Sequence, residues 1–115
     1  MNSFSLYYDA EDDWLDVTFG YPEELTRSVP LNDQITVYTN SAMSRITRVT
    51  MAEYGRMILV NETEFTVLRD EDPYLIEDIL YLLRRPPVNK LLLVTDAEAL
   101  IARVLSPTIQ ELFSD

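Results

Sequence analysis

Residues 8–19 read YDAEDDWLDVTF, and the alternation in the second half of this stretch decides the fold. Leu15, Val17 and Phe19 alternate with Trp14, Asp16 and Thr18, while upstream Phe4, Leu6 and Tyr8 alternate with Ser3, Ser5 and Tyr7. Successive side chains of a strand point to opposite faces, so a period of two on both arms of a turn predicts a half-buried β-hairpin. Five of the twelve residues are acidic. In the turn, Asp9 is placed to accept hydrogen bonds from the turn's own backbone amides, and Asp13 to do the same where the second strand begins. The spacing of Asp9, Glu11 and Asp13 superficially matches a calcium loop. Counting from Asp9, however, Trp14 and Gly20 stand where an EF-hand needs glycine and glutamate. The expectation is a structural turn, with no bound metal or cofactor beyond weak divalent association.

Working outward, Gly20-Tyr21-Pro22 ends the second strand. A third strand is predicted over 35–39 and a fourth over 45–51, joined by the polar turn Asn40-Ser41. The runs MILV (57–60) and EFTVL (64–68), flanking Asn61-Glu62, read as another hairpin. The period then changes. Asp72-Pro73 starts a helix, with aspartate at the cap and proline in the first turn. Ile76, Ile79, Leu80 and Leu83 follow at helical spacing, and Pro86-Pro87 stops the run. The acids of Arg69-Asp70-Glu71-Asp72 and the bases Arg84 and Arg85 suit the two ends of that helix dipole. LLLV (91–94) fits a short strand or the edge of a helix, which periodicity cannot separate. Thr95-Asp96-Ala97-Glu98 reads as a capping box opening a helix through Leu105. Ser106-Pro107 precedes a final turn carrying Ile109, Leu112 and Phe113. Without a repeat or linker, the reading is one domain over 1–115, strand-rich over 1–69 and helix-rich over 70–115. Its class is α+β: a small antiparallel sheet of N-terminal hairpins with C-terminal helices packed on one face.

Charge narrows the function. Twenty acids against nine bases give a net charge of −11, and the first 25 residues hold seven acids and no base. Such a surface repels phosphate backbones, which argues against nucleic acid, and Arg84, Arg85 and Lys90 make too small a basic cluster to reverse that. It attracts a basic protein and speeds the encounter, or serves solubility alone. Cysteine and histidine are absent, which removes thiolate chemistry, the commonest general base and the commonest metal ligand. The longest apolar runs are too short to span a bilayer and no secretory leader is visible, so the expected setting is cytoplasmic, with no membrane partner. On that expectation the sequon Asn61-Glu62-Thr63 has no role. Two glycines and one lysine leave no phosphate loop and no activated nucleophile. Paired carboxylates could hydrolyse a glycosidic bond only with one of them desolvated, and nothing places an acid in an apolar pocket.

Tyr8-Asp9, three residues, Asp13, then Leu15, Val17 and Phe19 resemble the opening motif of a bacterial family, the domain of unknown function 2283. The resemblance covers roughly residues 4–54, with 35–38 and 45–51 as the family's later strands. TNSAMS (39–44) replaces its acidic, glycine-containing turn. The resemblance implies a small antiparallel sheet and carries no chemistry; an antitoxin-like inhibitor of a basic protein is admissible within it. Nothing in the second half resembles that family.

If Leu15, Val17 and Phe19 face the core, Tyr7 and Trp14 point the other way, and Tyr38 joins them by its parity against Ile35 and Val37. With Asp16 and Asp12 beside them, these residues suit contact with a basic protein or with a second copy. The competing reading is that the helices or the second hairpin cover this face. Three functions follow: a non-enzymatic acidic interaction module, which the inventory favours; a divalent-metal-dependent hydrolase using the carboxylates between 9 and 16; and a structural subunit of a larger assembly.

Overall fold

The alternation at the N-terminus produces the hairpin it predicts. In the computed structural model, which describes residues 4–19, 25–60 and 62–113, strand β1 (Phe4–Asp9) pairs antiparallel with β2 (Trp14–Phe19), Leu6 opposite Val17 and Tyr7 opposite Asp16. The next two predicted strands form as β4 (Ile35–Asn40) and β5 (Ile46–Ala52). An unpredicted strand, β3 (Thr26–Pro30), completes a five-stranded sheet of order β1-β2-β5-β4-β3. It shows no alternation because Val29 alone of its five residues is buried. The strand break at Gly20-Tyr21-Pro22 lies outside the described residues, as does Asn61 of the sequon.

β5 holds the sheet together by pairing with β2 on one side and β4 on the other. Two apolar rows cross it, Leu15–Met51–Ile35 and Val17–Val49–Val37, and every member is at most 3% exposed. Each such side chain contributes about 1.5–3 kcal/mol of apolar burial. Between Tyr38 and Thr39 the β4–β5 register shifts so that Tyr38 faces Arg48 while Thr39 faces Ile46. Thr47 is the extra residue of this bulge, and its hydroxyl donates to the Tyr38 carbonyl at 3.2 Å.

The second half departs from the helical reading. Helix α2 (Pro73–Leu83) forms as expected, its N-terminus closed by Asp72, which accepts from the Tyr74 amide at 2.7 Å. Residues 92–94 of the 91–94 run form strand, within β7 (Leu92–Asp96). The predicted helix after Thr95 is instead a hairpin turn followed by β8 (Ile101–Val104). Asp96 does cap, but it accepts from Ala99 within that turn, where Leu100 takes φ 56°. Ala102 and Val104 are buried with Arg103 exposed between them, a strand period that the capping motif masked. The predicted 57–68 hairpin is also absent. Met57 ends a short helix α1 (Tyr54–Met57), Leu59 is 84% exposed, and β6 (Thr63–Glu64) pairs with the remote β8. Strands β6-β8-β7 make a second antiparallel sheet, and α3 (Ile109–Phe113) follows it. The fold is thus mixed α+β, with two antiparallel sheets and, among the described residues, three short helices; the helices of 70–115 share that span with two strands.

One core joins these parts. Ile79, Leu82 and Leu83 of α2, Leu92 and Ala102 of the small sheet, and Leu112 share a cluster with Leu15, Val17, Val49 and Met51. Polar stitching reinforces it at Asn32, which is 6% exposed. Its amide nitrogen donates to Thr63 Oγ1 and the Glu64 carbonyl of β6 at 3.1 and 3.0 Å. Its carbonyl oxygen accepts from the Gln34 and Ile35 amides that open β4, at 2.9 and 2.8 Å. No helix among the described residues is long and apolar enough to cross a membrane.

Candidate interaction face

The face of the five-stranded sheet that turns away from this core gathers the residues singled out by parity. Register sets Trp14 opposite Asp9 and Ala52, Asp16 between Tyr7 and Thr50, and Arg48 between Thr18 and Tyr38. Tyr7 is 58% exposed, and Trp14, Asp16 and Tyr38 are half-buried. The helical covering considered from sequence is not what α2 supplies. Its buried side chains lie in the cluster with the opposite face, and its Leu82 lines a cleft with Phe19 and Ile46.

The aromatic residues are not contiguous. Tyr7 and Trp14 lie on β1 and β2, while Tyr38 on β4 is three strand spacings from Tyr7, about 14 Å. Arg48 fills the interval, and sequence reasoning missed it. Its Nε and Nη2 donate to the two oxygens of Asp16 at 2.9 and 2.5 Å, a bidentate pair. The guanidinium also lies over the Tyr38 ring, 4.9 Å from its centroid. The hydrogen bond to Asp16 raises the already high pKa of Arg48, so the group is a fixed cation. Its signal in the sequence was a lone arginine at an outward position of β5, opposite in parity to Val49 and Met51. The result is a flat platform of Tyr38, Arg48 and Asp16, with Asp16 neutralised by its partner. Asp12 stands apart from it, exposed in the β1–β2 turn.

That turn is built as predicted at one aspartate and differently at the other. Asp9 Oδ1 accepts from the amides of Glu11 and Asp12 at 3.0 and 3.3 Å, closing the turn. Asp13 takes φ 52°, a left-handed conformation that aspartate tolerates better than most residues. Its carboxylate leaves the turn and reaches α1, accepting from the Gly55 amide at 2.7 Å and the Arg56 amide at 3.3 Å. The Tyr8 hydroxyl donates to the same carboxylate at 2.6 Å. That hydrogen bond, then the one from Gly55, holds the Asp13 carboxyl below its usual range, and the Tyr8–Asp13 bond, then burial, raises the Tyr8 phenol above its own. An anion with these three donors is a poor proton source near neutrality. Among the described residues no group of three or more acidic side chains is arranged to hold a metal ion.

Compared with family models, with curated proteins and with solved structures, the chain has no match.

Proposed function

We propose that this protein is a non-enzymatic interaction module that binds a basic protein partner through the outward face of its five-stranded sheet. The observation that carries the reading is the Tyr38–Arg48–Asp16 platform with Tyr7 and Trp14 beside it. Tyrosine, tryptophan and arginine dominate binding energy at protein interfaces, and side chains already locked by a stack and a bidentate pair lose little freedom on binding. Glu11 and Asp12, exposed in the neighbouring turn, provide the field that draws a basic surface in. Asp9 and Asp13 are engaged by backbone amides, which supports a scaffolding role for the turn over hydrolysis. A cytoplasmic setting suits a chain with no cysteine.

Parallel affinity captures with wild-type, Trp14→Ala and Tyr38→Ala baits test this. A basic protein held by the wild type is expected to elute as salt rises, and to bind either variant about 30-fold more weakly, the equivalent of about 2 kcal/mol for a central anchor. Retention of the same proteins by all three baits would defeat the reading. Trp14, the one tryptophan, gives a direct optical check. In a dilute sample acrylamide should quench it, and emission should move to the blue when the partner excludes water.

A further inference from the structure

A cleft of about 370 Å³ opens where the ends of the large sheet meet the chain leaving α2, a volume within the range of small-molecule sites. Phe19 at the end of β2, Ile46 at the start of β5, and Leu82 and Val88 on the α2 side reach its floor, each 3–6% exposed. Pro86 and Pro87 also line it, and Arg85 and Ser44 bring polar groups. Phe4 and Arg45 are lining residues too. Like Phe19, they are held by contacts of their own, so they shape the cleft and are not counted as binding groups.

Its charge is the reverse of the molecule's. The chain has twenty acids against nine bases, yet among the described residues no aspartate or glutamate lines the cleft. Arg48, Arg56 and Arg69 are each paired with a carboxylate, whereas none of the described acids pairs with Arg85. Instead the Arg85 guanidinium lies over the Tyr81 ring, 5.7 Å from its centroid. That stack engages one face of the group and leaves its N–H edge for an acceptor in its plane. From the β4–β5 turn, Ser44 Oγ accepts from Asn40 Nδ2 at 2.6 Å. With its oxygen so used, the Ser44 hydroxyl has its proton to donate.

We propose that this cleft binds a small organic monocarboxylate with an apolar body. The planar fork of Arg85 takes the carboxylate, Ser44 adds a donor, and the body rests on the prolines and the apolar floor. A single negative charge is selected over several. One available guanidinium balances one charge, the C-terminal end of α2 beside it carries partial negative charge, and a protein of net charge −11 repels a polyanion. The site is separate from the aromatic face and does not depend on it.

Titration of the isotope-labelled protein with 3-phenylpropionate at pH 7, followed through backbone amide shifts, tests this. Saturable shifts are expected over 44–46 and 82–88 and none at Trp14 or Tyr38, with a Kd of about 1 mM or tighter. Two comparisons need no variant. The neutral 3-phenylpropanamide lacks the charge and acetate lacks the body, and each should bind about tenfold more weakly or worse. Arg85→Gln should weaken 3-phenylpropionate by a similar factor, while Arg103→Gln, an exposed site on β8, should leave binding unchanged. The absence of saturable shifts up to about 10 mM would overturn the proposal. So would an amide or acetate bound as tightly as the acid, or an Arg85→Gln protein that binds as the wild type does.

Discussion

Asp13 shows how much one carboxylate organises. It ties the first hairpin to α1 through Gly55 and Arg56 and orients the Tyr8 phenol. Because its folded-state pKa lies below the usual 3.8, its stabilisation is complete above that value and disappears as pH falls through the lowered one. Asp13→Asn is therefore expected to lower the melting temperature at pH 7 and to differ little from wild type near pH 2, which thermal scans at the two pH values check. Gly55 sits against the same group, since a Cβ there would lie 2.9 Å from Asp13 Oδ1. Glycine to alanine in a helix ordinarily gains about 0.5–1 kcal/mol, but here the methyl must displace a carboxylate held by three donors. Gly55→Ala should destabilise the wild type and stabilise an Asp13→Ala background, a sign reversal that a double-mutant cycle in urea would detect. Asp9's role could be read from sequence because its partners are two and three residues away. Asp13's could not, because its two amide partners are 42 and 43 residues away and only the fold brings them near.

Among the elements, those whose burial follows one clean period were legible. β2 buries Leu15, Val17 and Phe19 in strict alternation. Leu15→Ala should accordingly cost about 2–5 kcal/mol, and Val17→Ala should also be a core loss, while Thr18→Ala on the outward face should cost much less. Equal losses at 17 and 18 in denaturant titrations would contradict a strand with one buried face. α2 was legible for the same reason, helped by Asp72 and Pro73 at its start. Elements stabilised from a distance were not. β6 has two residues and exists because β8 lies beside it. Residues 95–98 carry side chains that cap a helix and a turn equally well, and the outcome was decided by Ala102 and Val104 fitting the second sheet. Of the candidate face, parity located Tyr7, Trp14, Asp16 and Tyr38. It missed Arg48, because the diagonal bond from Arg48 to Asp16 depends on β5 lying next to β2, an order the sequence does not state.

At the scale of the whole molecule, Asn32 is the polar hinge-pin between the two sheets. Asn32→Ala removes four hydrogen bonds and leaves the amides of Gln34 and Ile35 without their acceptor. A loss of about 2–3 kcal/mol is expected, with amide exchange over β6 and β8 rising more than over β2 and β5; a uniform rise would assign Asn32 to the large sheet alone. The central position of β5 has a further consequence, for synthesis. The hairpin made by β1 and β2 cannot join β3 and β4 until residue 52 has left the ribosome, since β5 lies between them. At that moment the large sheet is complete in strands, but its apolar face lacks the small sheet and α2. A nascent chain in this state is prone to stick to its neighbours. The seven acids in the first 25 residues emerge with the first two strands and ahead of the rest of that surface, so growing chains on adjacent ribosomes repel one another while the face is bare. The acidity proposed to draw in a partner for the finished protein would, earlier in its life, keep unfinished copies apart.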